Sequence, residues 1–406
     1  MTNPSYAARI IAGEKRQVVG FAFFRWRRRR RAAAVAWLQQ LPTSLELEST
    51  TGSPLLFSFG LSYFGMKYLG LERDYAHLLS EEPLLSRRAK YDNGNDRDYA
   101  QFIQRAYGFV MLGGANRAEV EVGLEAIRQR ATGGLLRRWQ IQFGEQRERM
   151  INGVACPIGP LGFREGISQP RRTEVADTCF VDDPKVPGQA SVMSFMKLRI
   201  NTEAYQQLLG YLALAAFDTS APNPQQLKKI RSLLMGRSLD GVPLALDEQG
   251  QPLVDVRNDF TFNQDREGKT CPFASHVRVM NPRAAVQPNP PNILRRSIPY
   301  REGDQNGLLF ISFQHNFTAL TELYDRIVAE KDFLLYSAPE TAQVRNRVHQ
   351  TPLYVKDGNT LKRIDIPLNR LNLVSLLGEV YFYVPPTSFC RAIQYDTTTR
   401  NATLDA

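Results

Sequence analysis

The sequence lacks the features that would place it in a membrane or among disulfide-stabilised proteins. It has no run of 18 or more apolar residues, so the pattern predicts no transmembrane helix. It has four cysteines in 406 residues, and no two of them form a CxxC pair: Cys156, Cys179, Cys271 and Cys390. This spacing excludes a zinc ribbon and a thioredoxin-like motif, and it is typical of proteins from a reducing compartment.

Histidine and internal repetition are scarce as well. The chain has four histidines, and no two have the spacing of a zinc site. No short-period repeat is present, which excludes solenoids and propellers. What remains is an ordinary folded composition, 43% hydrophobic and 23% charged, which excludes wholesale disorder. A chain of 406 residues is long enough for two domains.

The charge is unbalanced, with 51 basic and 41 acidic residues and a net charge of +10. Such a field attracts nucleic acid, anionic lipid or an anionic substrate. Its sharpest feature is the run RWRRRRR at 25–31, for which a nucleic-acid patch and a twin-arginine export signal are functional interpretations. Export is disfavoured because the run comes late and the apolar segment after it is short. We expect the solvated start of a helix, no membrane or nucleic-acid partner, and a cytoplasmic location.

Hydrophobic periodicity predicts strand–helix–strand twice within roughly the first 150 residues, as in a ferredoxin-like unit. The predicted strands are 18–24, 55–59, 106–112 and 139–143, with helices over 32–41 and 117–130. The Gly- and Pro-rich stretch 152–166 predicts a boundary, which divides the chain into domains 1–150 and 151–406.

The second part repeats this logic on a larger scale. Its predicted strands are 192–199, 308–313 and 379–384, and its predicted helices are 203–217, 224–235 and 320–330. A long irregular stretch at 240–297 separates them. Because so long a loop is unusual in a compact domain unless it is functional, the chemistry is sought there.

Three segments combine turn residues with reactive side chains: GFREGISQP (162–170), CPFASHVRVMNPR (271–283), and ILRRSIPY (293–300) followed by GLLFISF (307–313). A histidine, an arginine 19 residues later and a separate carboxylate are the parts of a haem peroxidase site. A neutral imidazole binds iron, a carboxylate moves the peroxide proton, and a guanidinium stabilises developing negative charge. Each of these residues taken alone is equally typical of a turn, a structural histidine or surface charge.

Taken together, the segments resemble the dye-decolorizing peroxidase family, whose motifs read GFRDGISQP, CPxxAHxRxxNPR, ILRRGIPYG and GLLFxxxQ in the same order. The stretches GRSLDGVPL (236–244), NDF (258–260) and EVYFYVP (379–385) are similar to further motifs of that family. The resemblance covers residues 150–388, and the first 150 residues match only in their strand–helix pattern.

The resemblance implies an α+β fold of two ferredoxin-like units, of the dimeric α+β barrel type, with antiparallel sheets flanked by helices. One haem b per chain would lie in the second unit. His276 would be the proximal iron ligand, and Arg295 would stand over the peroxide site in preference to its neighbour Arg296. Glu165 occupies the place of the family's catalytic aspartate.

The remaining contacts implied by the resemblance concern the rest of the haem. Leu308 and Phe310 would wall its distal side, and Arg278 or Arg283 would meet a propionate. A carboxylate should hydrogen-bond the proximal imidazole. No residue is identified for that role, and Asp365 is considered only for its place before the last strand.

The implied function is reduction of hydrogen peroxide with one-electron oxidation of dye-like or phenolic donors. The departure at Glu165 leaves an alternative open. Its extra methylene lengthens the side chain by about 1.5 Å, and a misplacement of about 1 Å costs on the order of 100-fold in rate. The alternative is a haem-binding protein with weak or no peroxidase turnover, serving haem handling or sensing.

Overall fold

The computed structural model describes residues 4–14, 16–41, 54–79, 97–283, 290–335, 350–367 and 373–404. Within these ranges the chain forms a ten-stranded antiparallel sheet with helices packed around it. The expected α+β class is confirmed.

The strands of the first half lie in the order β2-β3-β1-β4, which is the antiparallel order of a ferredoxin-like unit. The strands are β1 (Val18–Trp26), β2 (Leu56–Leu61), β3 (Gly108–Gly114) and β4 (Leu136–Glu145). The helices are α1 (Ala8–Ile11), α2 (Arg31–Gln39), α3 (Tyr63–Leu69), α4 (Arg97–Gln104) and α5 (Arg117–Gln129).

The second half repeats this order as β10-β11-β8-β14. Its strands are β8 (Gln189–Ile200), β10 (Ile298–Glu302), β11 (Gln305–Gln314) and β14 (Val374–Val384), and its long helices are α7 (Thr202–Phe217), α8 (Pro224–Met235) and α10 (Thr318–Glu330). The shorter strands are β5 (Glu148–Ile151), β6 (Val154–Pro157), β7 (Val181–Asp182), β9 (Leu294–Arg295), β12 (Gln350–Asp357), β13 (Thr360–Pro367), β15 (Ile393–Asp396) and β16 (Asn401–Leu404). The shorter helices are α6 (Val175–Cys179), α9 (His276–Met280) and α11 (Phe389–Ala392).

Asparagine side chains set where three of the longer helices begin. Asn116 and Asn201 each accept a hydrogen bond from a backbone N–H in the first turn of α5 and α7. At α8, Asn223 and Gln226 cap each other reciprocally, and Pro224 fills the first helical position, where its missing N–H costs nothing.

The two halves meet at both edges of their sheets, so the strands face a shared core. Tyr383 of β14 pairs with Leu61 of β2, and at the other edge Gln142 of β4 donates to Glu302 of β10 at 2.7 Å. Between the sheets the rings of Phe21 and Phe195 lie 5.3 Å apart. Because helices cover one face and the partner sheet the other, β1 reads as a nearly continuous apolar run.

The strands and helices predicted from periodicity are all present, with ends that differ by a few residues. Among the elements that the sequence patterns did not predict are β10, α3, α4 and the β12–β13 and β15–β16 hairpins. Strands of both halves hydrogen-bond in one sheet, and the domain boundary at 150–151 stays a prediction. None of the helices in the described ranges has the length and apolar character needed to cross a bilayer.

Candidate active site

Two adjoining cavities, of about 590 Å³ and 540 Å³, lie beside β8 and β11 in the second half of the chain. Both are lined by Glu165, His276, Arg295 and Phe310. Among the described residues, His276 is the only histidine on either wall. The tertiary structure therefore brings together side chains from the three segments that the sequence singled out.

His276 begins α9, and a buried carboxylate fixes its ring. Its Nδ1 lies 2.9 Å from Oδ2 of Asp332, whose side chain is fully buried. The other oxygen, Oδ1, accepts the backbone N–H groups of Leu334 and Leu335 at 2.8 and 3.0 Å. A carboxylate acceptor holds the imidazole proton on Nδ1, which leaves Nε2 as the nitrogen available to a metal.

Asp332 is the candidate site residue that the sequence did not reveal. It follows the end of α10, where Lys331 has a φ of 53°, and the next N–H, of Phe333, bonds to the carbonyl of Ala274 at 2.9 Å. That bond ties the turn to the residues before His276. Asp365, considered from the sequence, instead lies on the β12–β13 hairpin and pairs with Arg363 at 3.1 Å.

Arg295 is clamped by the segment that carries Glu165. Its backbone N–H donates to Oε1 of Gln169 at 3.0 Å, and its carbonyl accepts from Nε2 of the same side chain at 3.1 Å. Its guanidinium donates to the carbonyl of Ser168 at 2.5 Å. Burial lowers the pKa of Arg295, and the charge of the nearby Glu165 carboxylate opposes that shift.

Arg296 has a different role from its neighbour. Its guanidinium donates to the carbonyls of Ile10 and Ile11 at 2.9 and 2.8 Å and to that of Arg295 at 3.1 Å. It thereby fastens α1 to the strand that carries Arg295. The assignment of Arg295 to the peroxide site stays a prediction.

Glu165 faces both cavities from a turn between two glycines. Burial among protein atoms raises its pKa, while the charges of Arg295 and His276 oppose the rise. A Cβ on residue 159 would crowd Oε1 of Glu165, so any residue larger than glycine there would make this carboxylate shift. Gly159 therefore supplies space for a glutamate where the resembled family has a shorter aspartate.

The walls around these polar groups are apolar. Phe310 lines both cavities and Leu308 lines the smaller one, as the resemblance implied. Leu308 lies opposite Leu198 and Phe310 opposite Met196 in the β11–β8 register. This register places the four side chains along one end of the cavity wall.

The two arginines proposed for a propionate are placed very differently. Arg278 lines neither cavity, and its guanidinium is buried against Oδ2 of Asp265 at 2.9 Å, between the rings of Phe262 and Phe273. Asp265 also accepts the backbone N–H of Cys271 at 2.8 Å, so this ion pair braces the loop that leads to His276. Arg278 therefore stabilises the loop before His276 and does not reach the cavities.

Arg283 does line the larger cavity, beside Arg237, which lies in the GRSLDGVPL stretch but was given no role from the sequence. Both guanidinium groups donate to Oδ1 of Asn258, at 2.6 and 3.0 Å, and both lie over the ring of Phe260. Burial lowers the pKa of each to about 10. The buried Nε of Arg283 has no hydrogen-bond partner in the part of the chain that the structure describes.

These features fit a large, flat, anionic cofactor with a metal that takes one imidazole ligand. His276 offers Nε2 as a ligand, and the apolar walls suit a macrocycle. Arg237 and Arg283 have no carboxylate partner among the described residues, so both are available to bind an anion. The described residues contain no group of three or more His, Cys, Asp or Glu side chains that could hold a metal ion. A haem satisfies each of these conditions.

Comparison with known proteins agrees with this fit. Residues 227–343 match the model of the Dyp-type peroxidase C-terminal family. The multifunctional dye peroxidase DyP2 of Amycolatopsis sp. is 26% identical over 249 residues, which is 52% of this chain and 52% of that enzyme. The dye-decolorizing peroxidase of Mycena epipterygia is 26% identical over 207 residues, 38% of this chain and 39% of that enzyme. The chain thus matches about half the length of the first of these relatives.

Solved structures extend the likeness in fold to nearly the whole chain. An ancestral D-type dye decolorizing peroxidase superposes with a TM-score of 0.71 at 19% identity, covering 96% of this chain and 98% of that one. The DyP-type peroxidase of Anabaena sp. superposes with a TM-score of 0.69 at 17% identity, covering 96% and 93%. Residues 227–343 therefore resemble the C-terminal part of Dyp-type peroxidases, and nearly the whole chain shares the fold of solved dye-decolorizing peroxidases.

Proposed function

We propose that this protein is a haem peroxidase that holds one haem b per chain, reduces hydrogen peroxide and oxidises dye-like or phenolic donors in one-electron steps. The observation that carries the proposal is the meeting of three groups around one cavity. These are the His276–Asp332 pair, the carboxylate of Glu165 and the guanidinium of Arg295. Hydrogen peroxide and an organic electron donor are its partners, and the cytoplasm is its proposed location.

A bound haem would supply the redox-active iron at which peroxide is reduced. His276 would ligate that iron through Nε2. Asp332 would accept the hydrogen bond of the Nδ1–H group, which would orient the ring and make the imidazole a stronger ligand. Arg237 and Arg283 would bind the cofactor's carboxylates, since charge-assisted bonds from guanidinium to carboxylate are both strong and directional. Arg278 would act indirectly by bracing the loop before His276.

Glu165 and Arg295 would handle the proton and the charge of peroxide. In its ionised form Glu165 accepts a proton from one peroxide oxygen at its carboxylate and returns it to the departing oxygen. Arg295, held by Gln169 and Ser168, presents a fixed positive charge to the negative charge that develops as the O–O bond breaks. Leu308 and Phe310 keep this space apolar, which strengthens both electrostatic effects.

The test is to load the purified protein with haem and record its visible spectrum before and after one equivalent of peroxide. Turnover of an anthraquinone dye is then measured for the wild type, Glu165→Asp and His276→Ala. A Soret band that His276→Ala perturbs, a rapid spectral response to peroxide and dye turnover support the proposal. A wild-type spectrum that stays unchanged with peroxide while Glu165→Asp responds would favour the alternative, a haem-binding protein with little peroxidase turnover. Absence of a Soret band would overturn both.

A further inference from the structure

The arginine run after β1 forms a rigid and exposed turn. Arg27, Arg28, Arg29 and Arg30 are all exposed, and the turn is held at both ends by the hydroxyl of Tyr68. That hydroxyl donates to the carbonyl of Arg27 at 2.8 Å and accepts the N–H of Arg30 at 3.2 Å. The four charges are therefore presented by a fixed backbone.

The tertiary structure adds three more exposed arginines that are distant in sequence. The N–H of Arg27 bonds to the carbonyl of Leu135 at 2.8 Å, which places Arg137 and Arg138 at the adjoining end of β4. The guanidinium of Arg138 lies 4.2 Å from the centre of the Phe102 ring, next to the turn that carries Arg105. We name this surface, Arg27–Arg30 with Arg105, Arg137 and Arg138, the basic face.

The basic face has no internal counter-charge in the described part of the chain. None of its seven guanidinium groups pairs with a described carboxylate. Some exposed arginines elsewhere do pair: Arg117, Arg128 and Arg257 each bind a carboxylate, at 2.8, 3.1 and 2.9 Å. Because like charges that lie close together repel one another, an anion bound from outside the chain would reduce the repulsion within the basic face.

The residue type and the extent of the basic face together indicate which kind of anion it binds. Guanidinium groups bind phosphate oxygens in a two-pronged geometry that lysine cannot reproduce, and every cation of the basic face is arginine. The charges extend over a turn, the end of a strand and a loop, which is broader than one phosphate. No large apolar side chain of the described chain is exposed within the basic face, so it lacks the insertion residues of a lipid-binding surface.

We propose that the basic face binds the phosphate backbone of nucleic acid, without reading its bases. This revises the expectation that the run is merely solvated, and it is independent of the peroxidase function. Contacts made only to phosphates give affinity that depends strongly on salt and little on sequence.

The experiment measures binding of the holoprotein to fluorescent DNA and RNA oligonucleotides of several sequences over a range of salt concentrations. The variant R27Q/R28Q/R29Q/R30Q is compared with R117Q/R128Q/R171Q/R257Q, which removes the same charge from exposed arginines that pair with carboxylates. For the wild type, the logarithm of the affinity should fall linearly with the logarithm of salt, by about 0.7–0.9 per phosphate contact. The basic-face variant should lose about 3 units of that slope and at least about tenfold in affinity, while the control keeps both.

Three outcomes would overturn the proposal. They are no salt-dependent binding by the wild type, equal weakening in both variants, and stronger binding to phosphatidylserine vesicles than to oligonucleotides. The Soret band and dye turnover of both variants should match the wild type, because none of the substituted residues lines either cavity. These two readouts verify that the variants fold.

Discussion

Gln169 holds both backbone hydrogen-bonding groups of Arg295, accepting its N–H at 3.0 Å and donating to its carbonyl at 3.1 Å. Gln169 lies four residues after Glu165, so one short segment positions both the carboxylate and the guanidinium of the proposed peroxide site. The spacing between these two groups is thereby set by backbone-directed contacts, independently of the attraction between their charges.

Replacing Gln169 with glutamate should disturb this spacing. Glutamate still accepts the N–H of Arg295 but cannot donate to its carbonyl, and a shift of about 1 Å costs on the order of 100-fold in rate. We expect the rate of reaction with peroxide to fall about 10- to 100-fold while haem content is unchanged, measured by stopped flow. Gln207→Glu, on the exposed face of α7, is the control. A rate unaffected in Gln169→Glu would remove its positioning role.

Asp332→Asn tests the carboxylate partner of His276, the proposed iron ligand. Asparagine keeps an oxygen for the N–H groups of Leu334 and Leu335, but it removes the negative charge beside Nδ1 of His276. The reduction potential of the bound iron should rise and cofactor affinity should fall about 10- to 100-fold. Spectroelectrochemical titration and haem transfer to apomyoglobin measure the two effects. The matched control is Asp365→Asn, and equal shifts in the two variants would contradict the assignment.

The acid–base role of Glu165 predicts a particular pH dependence. Burial raises its pKa, so the group keeps its proton to a higher pH than an ordinary glutamate, whose pKa is about 4.3. Because only the ionised form can accept the peroxide proton, the rate of reaction with peroxide should rise as pH increases through this raised pKa. In Glu165→Gln the rise should vanish and the rate should drop about 10²- to 10⁴-fold. The exposed change Glu121→Gln should leave the profile intact, and an identical profile in Glu165→Gln would exclude the role.

Gly159→Ala should act through Glu165. The added Cβ would overlap Oε1 of Glu165 and force the carboxylate away from its position. We expect about a tenfold to 100-fold lower rate with peroxide in the Glu165 background. In the Glu165→Asp background the shorter side chain should tolerate the same change with a smaller loss. Equal losses in both backgrounds, shown by a double-mutant cycle, would mean that Gly159 acts independently of Glu165.

Substitutions of Arg278 and Arg283 should have different effects, the first on protein stability and the second on cofactor binding. Arg278→Met leaves Asp265 buried without its partner, which costs about 3–5 kcal/mol of unfolding free energy in urea denaturation of the apoprotein. Arg283→Met, which breaks no ion pair among the described residues, should cost less stability but weaken haem retention. The opposite pattern would restore Arg278 as the contact to the cofactor.

The sequence by itself identified the repeated strand–helix pattern, because period-2 and period-3.6 apolar runs follow directly from burial on one or both faces. It also predicted His276, Arg295 and Glu165 as site residues, because short motifs combine turn residues with reactive side chains and resemble those of a known family. It could not reveal Asp332, which lies 56 residues from His276 in no recognisable motif. Tertiary contacts such as the bond between Phe333 and Ala274 bring that carboxylate to the imidazole.

Tertiary structure also decided which of several similar side chains belongs where. Arg278 and Arg283 are five residues apart in one motif, yet a buried carboxylate holds the first while the second reaches the cavity. Arg295 and Arg296 are neighbours, but alternation along an extended chain sends them to different partners. Local patterns determine which elements form and which chemistry is available. The choice of partner is decided by contacts between residues far apart in sequence, since burial makes every charge depend on what the fold places beside it.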